Sequence, residues 1–515
     1  MIIFVDYASP SVFESNRESA SLGLATNLRR PVRFHGVVRD NGFNLRIALR
    51  ALGEAIWSND SWIPGSEILD PVITVHPDRV FFEAFSQDQS VYAALIVDPA
   101  IFDIRGESVT GTTNIDFTAW LWGALGEMRS GRHTTIGIGP EGFEVATQNA
   151  GGRFERKVDL PDAWVRGFLQ VQAAMAFPGT RIDVQPADLL SAIRFLRYTK
   201  AKVSPRALRY EFEPGEDARL VLEPWEHSVR LVGAEHGYTE KKVVRIWGRR
   251  RLKLIEGLLP FADSVQVYLK GRAMPSFYAV KLAGMTFVLG LSGFSDASFT
   301  SSGGFDLLSE AAQDDDPLLE PALELLRSHY HRSVDEVAQE LRTDQAQATR
   351  LLTRLCRRGQ CMFDVETRRY RHRELFETPI DEEKYFPPDL RRELASQLLR
   401  DGRVRVDSCC AELTVKTRKL KSPEGPVFRQ ITYRDWHVSG AVGQCAEVQT
   451  VINDTGSIIF GRCTCPFFDA NLLQQGPCEH ILALFQASAD LRVEEPTSTA
   501  ASPPVPTEET DDDQE

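Results

Sequence analysis

Cys463-Thr464-Cys465-Pro466, then Gly476-Pro477-Cys478-Glu479-His480-Ile481-Leu482-Ala483-Leu484-Phe485, with twelve residues between Cys465 and Cys478, form the most specific pattern in this chain. Three thiols and one imidazole make a common set of four tetrahedral ligands for zinc. Cysteines separated by one residue reach one ion only from a turn or a strand end. Pro466 suits such a turn because its ring fixes φ, and Gly476-Pro477 places a second turn before Cys478. The apolar run after His480 reads as a helix whose first turn holds the imidazole over the ion. Four protein ligands leave no open position for water, so the zinc is expected to be structural, one ion per chain, rather than catalytic.

Outward from these residues, 436–440, 446–452 and 457–461 read as strands, with Asn453-Asp454-Thr455-Gly456 as a hairpin turn. Cys-x-Cys followed by Cys-x-His on a ββα frame resembles the SWIM zinc finger over about 50 residues. That resemblance implies zinc-dependent folding and binding to DNA or to protein, without choosing between them. The finger core is expected at 430–490, inside a unit spanning 388–492.

Upstream, residues 317–375 read as three short helices and a hairpin. Leu318, Leu319, Ala322, Leu325 and Leu326 space the first helix, and Ser333 with Glu336 opens the second as a capping box. Asp344 with Gln347 opens the third, whose apolar stripe is Ala348, Leu351, Leu352, Leu355 and Cys356. Arg350, Arg354, Arg357 and Arg358 fall on another stripe, Gly359 ends the helix, and a hairpin turns at Glu366-Thr367. This order resembles the winged helix-turn-helix fold, in which the third helix enters the DNA major groove and the wing touches the backbone. Nine arginines against three acids between Arg342 and Arg373 give a local charge of +6, enough to neutralise phosphates. The residues expected to meet nucleic acid are Arg350, Arg354, Arg357, Arg358, Arg368, Arg369 and Arg371. A solvated face or a protein-docking role are the other readings of the same charge.

Residues 1–305 alternate strand-like and helix-like segments and are expected to form a mixed α/β region of one or two lobes. Residues 80–85, 92–97, 266–269, 279–282 and 285–289 read as strands, and Phe117, Trp120, Leu121, Ala124, Leu125 and Met128 as one helix face. Gly137-x-Gly139-x-x-Gly142 lacks the helix that a dinucleotide fingerprint needs and reads as a hairpin turn. No Walker A string, nucleophile elbow or His-Glu-x-x-His occurs. His329 and His331 read as surface residues. Two more basic clusters, seven residues within 241–253 and Lys416-Thr417-Arg418-Lys419-Leu420-Lys421, extend a nucleic-acid path or form solvated faces.

Linkers are expected at Ser301-Ser302-Gly303-Gly304, at Asp314-Asp315-Asp316-Pro317 and near 379–388. Residues 493–515 read as a disordered acidic tail: eight acids and no base from Glu494 onward leave −13 + 8 = −5 for the rest of the chain. With 43% hydrophobic and 25% charged residues over 515 positions, the chain has an ordinary globular composition. No apolar run approaches the ~18 residues that cross a membrane, and the apolar start lacks a basic flank, so a cytoplasmic protein is expected. Eight cysteines are too few for a disulfide scaffold. Cys356, Cys361, Cys409, Cys410 and Cys445 are expected to be small buried apolar residues.

The fold class expected is α+β multidomain: a mixed α/β region, a winged helix-turn-helix and a C-terminal ββα finger. That combination resembles a bacterial family of SWIM zinc-finger proteins, to which Ile246-Trp247-Gly248-Arg249-Arg250-Arg251 and Gly290-Leu291-Ser292-Gly293-Phe294 also point. Its members appear beside MoxR-type AAA+ ATPases and von Willebrand A-domain proteins, which the resemblance implies as partners. The function expected is zinc-stabilised, non-enzymatic binding of nucleic acid, protein or both. The alternatives are a pure adaptor in such an ATPase assembly, or an enzyme hidden in residues 1–305.

Overall fold

The strands Val91–Val97 and Met285–Leu291 decide how the first 300 residues come together. Each is rich in apolar residues and buried at all seven positions, so each needs cover on both faces. They pair antiparallel, Met285 opposite Val97 and Leu291 opposite Val91, and so join two meanders far apart in sequence. One meander is Val72–Val75, Val80–Phe85 and Val91–Val97 with Gly111–Asn114 at its edge; the other is Thr180–Val184, Ser264–Leu269, Ser276–Leu282 and Met285–Leu291. The product is one eight-stranded antiparallel sheet.

The structure is a computed structural model that describes residues 4–5, 11–26, 32–39, 42–57, 71–128, 133–139, 157–158, 162–203, 205–272, 274–293, 299, 305–308, 311–313, 315–375, 385, 389–422, 425–454 and 456–492. The expected tail at 493–515, the linker at 301–304, Gly142 and most of the break near 379–388 lie outside the described residues.

One face of the large sheet, with Ile73, Phe82, Leu95 and Phe287, packs against the helices Gly42–Trp57 and Pro186–Tyr198 and the 3-10 turn Arg249–Ile255. The other, with Phe81, Phe85, Ile96 and Phe277, packs against the helix Asp162–Ala176 and against Met362, Val365 and Leu375. A five-stranded sheet, with a parallel pair between Ser19–Ala25 and His133–Gly139, and a four-stranded sheet with Leu208–Phe212 at its centre complete this half. The expected helix over 117–128 is shorter: Thr118 caps Ala119–Ala124, and the last turn tightens to 3-10 over Leu125–Glu127. The glycine pattern is not a turn at its start, since Gly137 and Gly139 lie within a strand.

Between 319 and 372 the order is helix Leu319–His329, strand His331–Arg332, helices Val334–Leu341 and Gln345–Arg357, then strands Cys361–Asp364 and Arg369–His372. Both caps form as the sequence requires: Ser333 and Glu336 exchange both bonds of a capping box, and Asp344 accepts from the Gln347 amide at 2.6 Å. Leu323, Leu326, Val337, Leu351, Leu352 and Leu355 give the unit its own core. The acidic stretch before Pro317 is not a free linker. Ala312 is buried in that core and its amide bonds the Arg350 carbonyl at 3.0 Å, while Asp316 accepts from the Leu318 amide at 2.9 Å.

Arginines hold this unit to the sheet. Arg371 (1% exposed) bonds Asp364 at 2.9 Å and Asp78 at 2.9 and 3.0 Å, with its guanidinium over the Phe81 ring. Arg373 (0%) bonds Glu83 (1%) at 2.6 Å, and the Tyr92 hydroxyl donates to the other Glu83 oxygen at 2.7 Å. Arg371 is therefore no phosphate-seeking residue; its charge is spent inside the protein. His331 is also not a plain surface residue: half-buried, it pairs in a strand opposite Arg371 and lies 3.7 Å from Asp78.

Two outcomes follow from this seam. Arg373→Ala leaves Glu83 buried and unpaired, and should cost about 3–5 kcal/mol in denaturant unfolding, whereas the pair of changes Arg373→Met with Glu83→Leu should recover most of it. His76, behind the seam, is held down to about 4 by burial first and by Arg371 second. A histidine with a lowered folded pKa binds fewer protons folded than unfolded, so stability should fall as pH drops from about 6.5 towards 4. His76→Asn should flatten that slope, by up to about 3 kcal/mol across the window, in thermal melts taken at successive pH values.

Candidate metal centre

Residues 389–492 form a unit around one antiparallel sheet in the order Val404–Ser422, Gly425–Val442, Cys445–Ile452, Ile458–Arg462. The helices Leu390–Arg400, Pro466–Asn471 and Glu479–Ala487 accompany it. Val438, Val448, Ile452, Ile481, Leu484 and Phe485 are among its core residues. Gly440 and Gly461 let the helix Glu479–Ala487 lie this close. A Cβ at Gly440 would stand 2.1 Å from the Arg405 carbonyl oxygen and 2.9 Å from Leu484, and one at Gly461 would stand 2.9 Å from Ile481.

Cys463 and Cys465 leave the end of the strand Ile458–Arg462. Pro466 does not make the simple turn expected of it but occupies the first position of a six-residue helix, where its missing N–H costs nothing. Cys465 is the N-cap of that helix and its Sγ accepts from the Phe468 amide at 3.4 Å. Cys478 is the N-cap of the helix Glu479–Ala487 without a side-chain capping bond, and His480 sits in that helix's first turn. Two of the thiols thus occupy the positive ends of helices, where a thiolate is favoured.

The four ligand atoms lie within 4.8 Å of one another, with the three cysteines buried and the histidine half-buried. A tetrahedral zinc with Zn–S near 2.3 Å sets its ligand sulfurs about 3.8 Å apart, so the set closes on an ion with side-chain adjustments alone. His480 Nδ1 is buried without a hydrogen bond, with Glu479 Oε1 3.4 Å away. Hydrogen bonding with Cys478 first, then burial, pushes the Cys463 thiol up to about 11. Burial likewise raises Cys465, while the bond with Cys463 raises His480. Thiols that raise one another need a cation to ionise, and zinc supplies it. These donors fit zinc, which would fasten the strand end to the helix Glu479–Ala487 and do no chemistry of its own.

Two supporting residues escaped the sequence. Arg391, near the start of the helix Leu390–Arg400, donates to the Gln475 carbonyl at 2.7 Å and the Pro477 carbonyl at 3.2 Å, with its guanidinium over the Phe467 ring. It holds the loop that delivers Cys478. Cys445, expected to be an inert apolar filler, is buried beside the cluster, where Thr464 and Cys463 both act on its thiol. Sequence spacing had no means of bringing either here.

The arginines expected to meet nucleic acid are placed differently. Arg350, Arg354, Arg357 and Arg358 are all half-buried on the helix Gln345–Arg357, and Arg350 bonds Gln347 Oε1 at 2.9 Å through Nε. Arg369 makes a two-bond pair with Glu336 at 2.8 and 2.9 Å. Arg368 alone of the seven is exposed, and Arg371 is buried as described above. In the basic segment 241–253, Lys241 pairs with Glu213, Arg245 with Glu223 and Arg251 with Asp88.

Residues 448–489 match the family model of the SWIM zinc finger, the segment that contains all four ligands. No curated protein matches the chain. Among solved structures, Proliferating Cellular Nuclear Antigen from Entamoeba histolytica is similar over 50% of this chain and 97% of that chain, at 11% identity and TM-score 0.32, too distant a likeness to carry an argument. No described helix is long and apolar enough to cross a membrane.

Cys478→Ser should abolish zinc retention after gel filtration and unfold the finger, seen as new protease cleavage between 440 and 490, because metal binding in small sites is folding energy. Arg391→Ala should keep the fold at saturating zinc but weaken zinc affinity about 10–100-fold in competition with a chelator, as losses of outer partners do.

Proposed function

We propose that this chain is a non-enzymatic binding protein whose zinc-stabilised C-terminal unit grips double-stranded nucleic acid with a basic β-ribbon. The observation that carries the reading is the length of two strands. Val404–Ser422 and Gly425–Val442 pair along nearly their whole extent, from Val404 opposite Val442 to Ser422 opposite Gly425. Their neighbour Cys445–Ile452 reaches only as far as Trp436. Beyond that point two strands run on alone for about 30 Å at the usual rise per residue. A lone hairpin is marginally stable in water, so a partner surface is its natural support.

The composition of the free stretch names the partner. Over 412–435 the sequence holds Lys416, Arg418, Lys419, Lys421, Arg429 and Arg434 against Glu412, Glu424 and Asp435, giving 6 − 3 = +3 in a chain of net −13. In the backbone register Arg418 stands opposite Arg429, so two basic positions share one pair of the ladder. A two-stranded ribbon also matches the width of the B-DNA major groove. The zinc site fixes the root of the ribbon by fastening the helix Glu479–Ala487 across it.

In this reading the unit at 319–372, whose helix and strand order supports a winged helix-turn-helix, serves as a docked spacer. Its wing arginines are committed to Asp78 and Glu336, and its third helix is half-buried. That same docking favours a second reading, a protein adaptor of the kind expected beside a MoxR-type ATPase and von Willebrand A-domain proteins.

The test is fluorescence anisotropy with a labelled DNA duplex over a salt series. Charge reversal of Lys416, Arg418, Lys419 and Lys421 should weaken binding strongly and lower the slope of log K against log salt by about one unit per lost phosphate contact, with zinc content unchanged. Arg350→Ala with Arg354→Ala and Arg358→Ala should have the smaller effect. The opposite ranking moves the contact to the third helix; no duplex binding at low salt leaves the adaptor.

A further inference from the structure

A cavity of about 590 Å³ opens between the helix Gly42–Trp57, the C-terminal end of the helix Pro186–Tyr198 and the 3-10 turn Arg249–Ile255. It belongs to the N-terminal half and shares no residue with the zinc site or the ribbon. Its size lies within the range of pockets that enclose a small molecule. Ile47, Ala51, Ile193, Leu196, Leu254 and Leu258 supply apolar lining, and the indoles of Trp122 and Trp225 add flat aromatic surface.

The charges in the wall are one-sided. Arg50, Arg197, Lys200, Arg249, Arg250 and Lys253 line the cavity against only Glu54 and Glu256, so 6 − 2 = +4 gathers in one concavity of a chain whose net charge is −13. Glu256 is already paired with Arg197 at 3.0 Å. Arg249, 8% exposed, stands with its guanidinium 4.8 Å over the Trp225 ring and donates to the Glu223 carbonyl rather than to a carboxylate. Arg209 and Arg245 both bond Oε1 of the nearby Glu223 carboxylate, each at 3.0 Å. Burial first, then the charges of Arg206 and Arg250, push the Arg249 guanidinium below its usual range. Arg249 is buried and Arg50 half-buried, while Arg197, Lys200, Arg250 and Lys253 stand exposed at the rim; a concave, low-dielectric wall focuses the field of such a group on an anion in its mouth.

We infer that this cavity is a binding site for a nucleoside polyphosphate, its base against the indole and leucine surface and its phosphates among Arg250, Lys200 and Lys253 at the mouth. Arg50 and Arg249 each lie over an indole ring, Arg50 at 5.7 Å from Trp122, so cation and aromatic plane are presented side by side. Arginine's planar fork matches phosphate oxygens in pairs. An inorganic anion uses only the cationic half of this wall, and an uncharged aromatic only the other half. The site is one of binding.

The experiment uses the full-length zinc-loaded protein. ATP and GTP are titrated by calorimetry and by tryptophan fluorescence, with adenosine, guanosine and inorganic triphosphate as half-ligands. At least one nucleotide should saturate one site per chain, with its nucleoside and triphosphate each binding at least about tenfold more weakly. Arg250→Glu with Lys200→Glu, both at exposed rim positions and so compatible with folding, should weaken that nucleotide by at least about tenfold. Arg405→Glu, an exposed change on the C-terminal sheet, should not alter it. No saturable nucleotide binding overturns the inference. So does binding that the rim double variant leaves unchanged while its melting curve shows it folded, or triphosphate binding as tightly as the nucleotide.

Discussion

Glu83 and Arg373 are both out of reach of water, one on the central sheet and the other just past the last strand of the helical unit. A carboxylate cannot be buried alone without a large desolvation penalty, so the sheet and the unit at 319–372 must meet for either residue to keep its charge. The contact is extended by Arg371 with Asp364 and Asp78, and by Gln172, whose side-chain oxygen accepts from the Phe363 amide at 2.6 Å. Apolar packing of Met362, Val365 and Leu375 on the sheet supplies the burial. Ion pairs of this kind add little net stability over apolar contacts of the same volume, but they admit few registers, and here they fix one orientation of the helical unit on the sheet.

The constraint reaches function by subtraction. A basic three-helix unit free in solution would offer its wing and third helix to a polyanion. Docked as it is, Arg371 is spent on Asp78 across the seam, while Arg369 is held by Glu336 of the unit's own second helix and the third-helix arginines are half-buried. We therefore propose the β-ribbon of the zinc unit for a large partner, and the cavity beside Trp122 and Trp225 for a small anion. The two share no residue, so each can be mutated on its own.

The zinc unit solves a different problem. The outer half of its strands Val404–Ser422 and Gly425–Val442 extends past the last residue paired to the third strand, Trp436. Stability has to come from the root, where the helix Glu479–Ala487 crosses at Gly440 and Gly461 and the Cys463, Cys465, Cys478 and His480 cluster fastens it. Arg391 brings a third helix into the same knot by bonding the carbonyls just before Cys478.

The sequence by itself determined what depends on neighbours a few residues away. The ligand set was legible because Cys-x-Cys and Cys-x-His bring two donors each to one local turn. The caps at Ser333 and Asp344 were legible because a side chain bonds an amide three residues on, and the strands at 80–85 and 285–289 because short runs rich in β-branched and aromatic residues favour an extended chain. Of the long strands at 404–442 only 436–440 was legible, the part where Val438 is buried in the core of the zinc unit. The short helix after Pro466 was missed because proline opens a turn and a helix equally well. Only the tertiary structure decided that the two meanders share one sheet, since strand partners are chosen by burial across nearly two hundred residues. It decided, too, that Arg371 faces Asp78 rather than water. An arginine in a hairpin looks the same in sequence whether its charge is destined for a phosphate or for a carboxylate brought from 293 residues away.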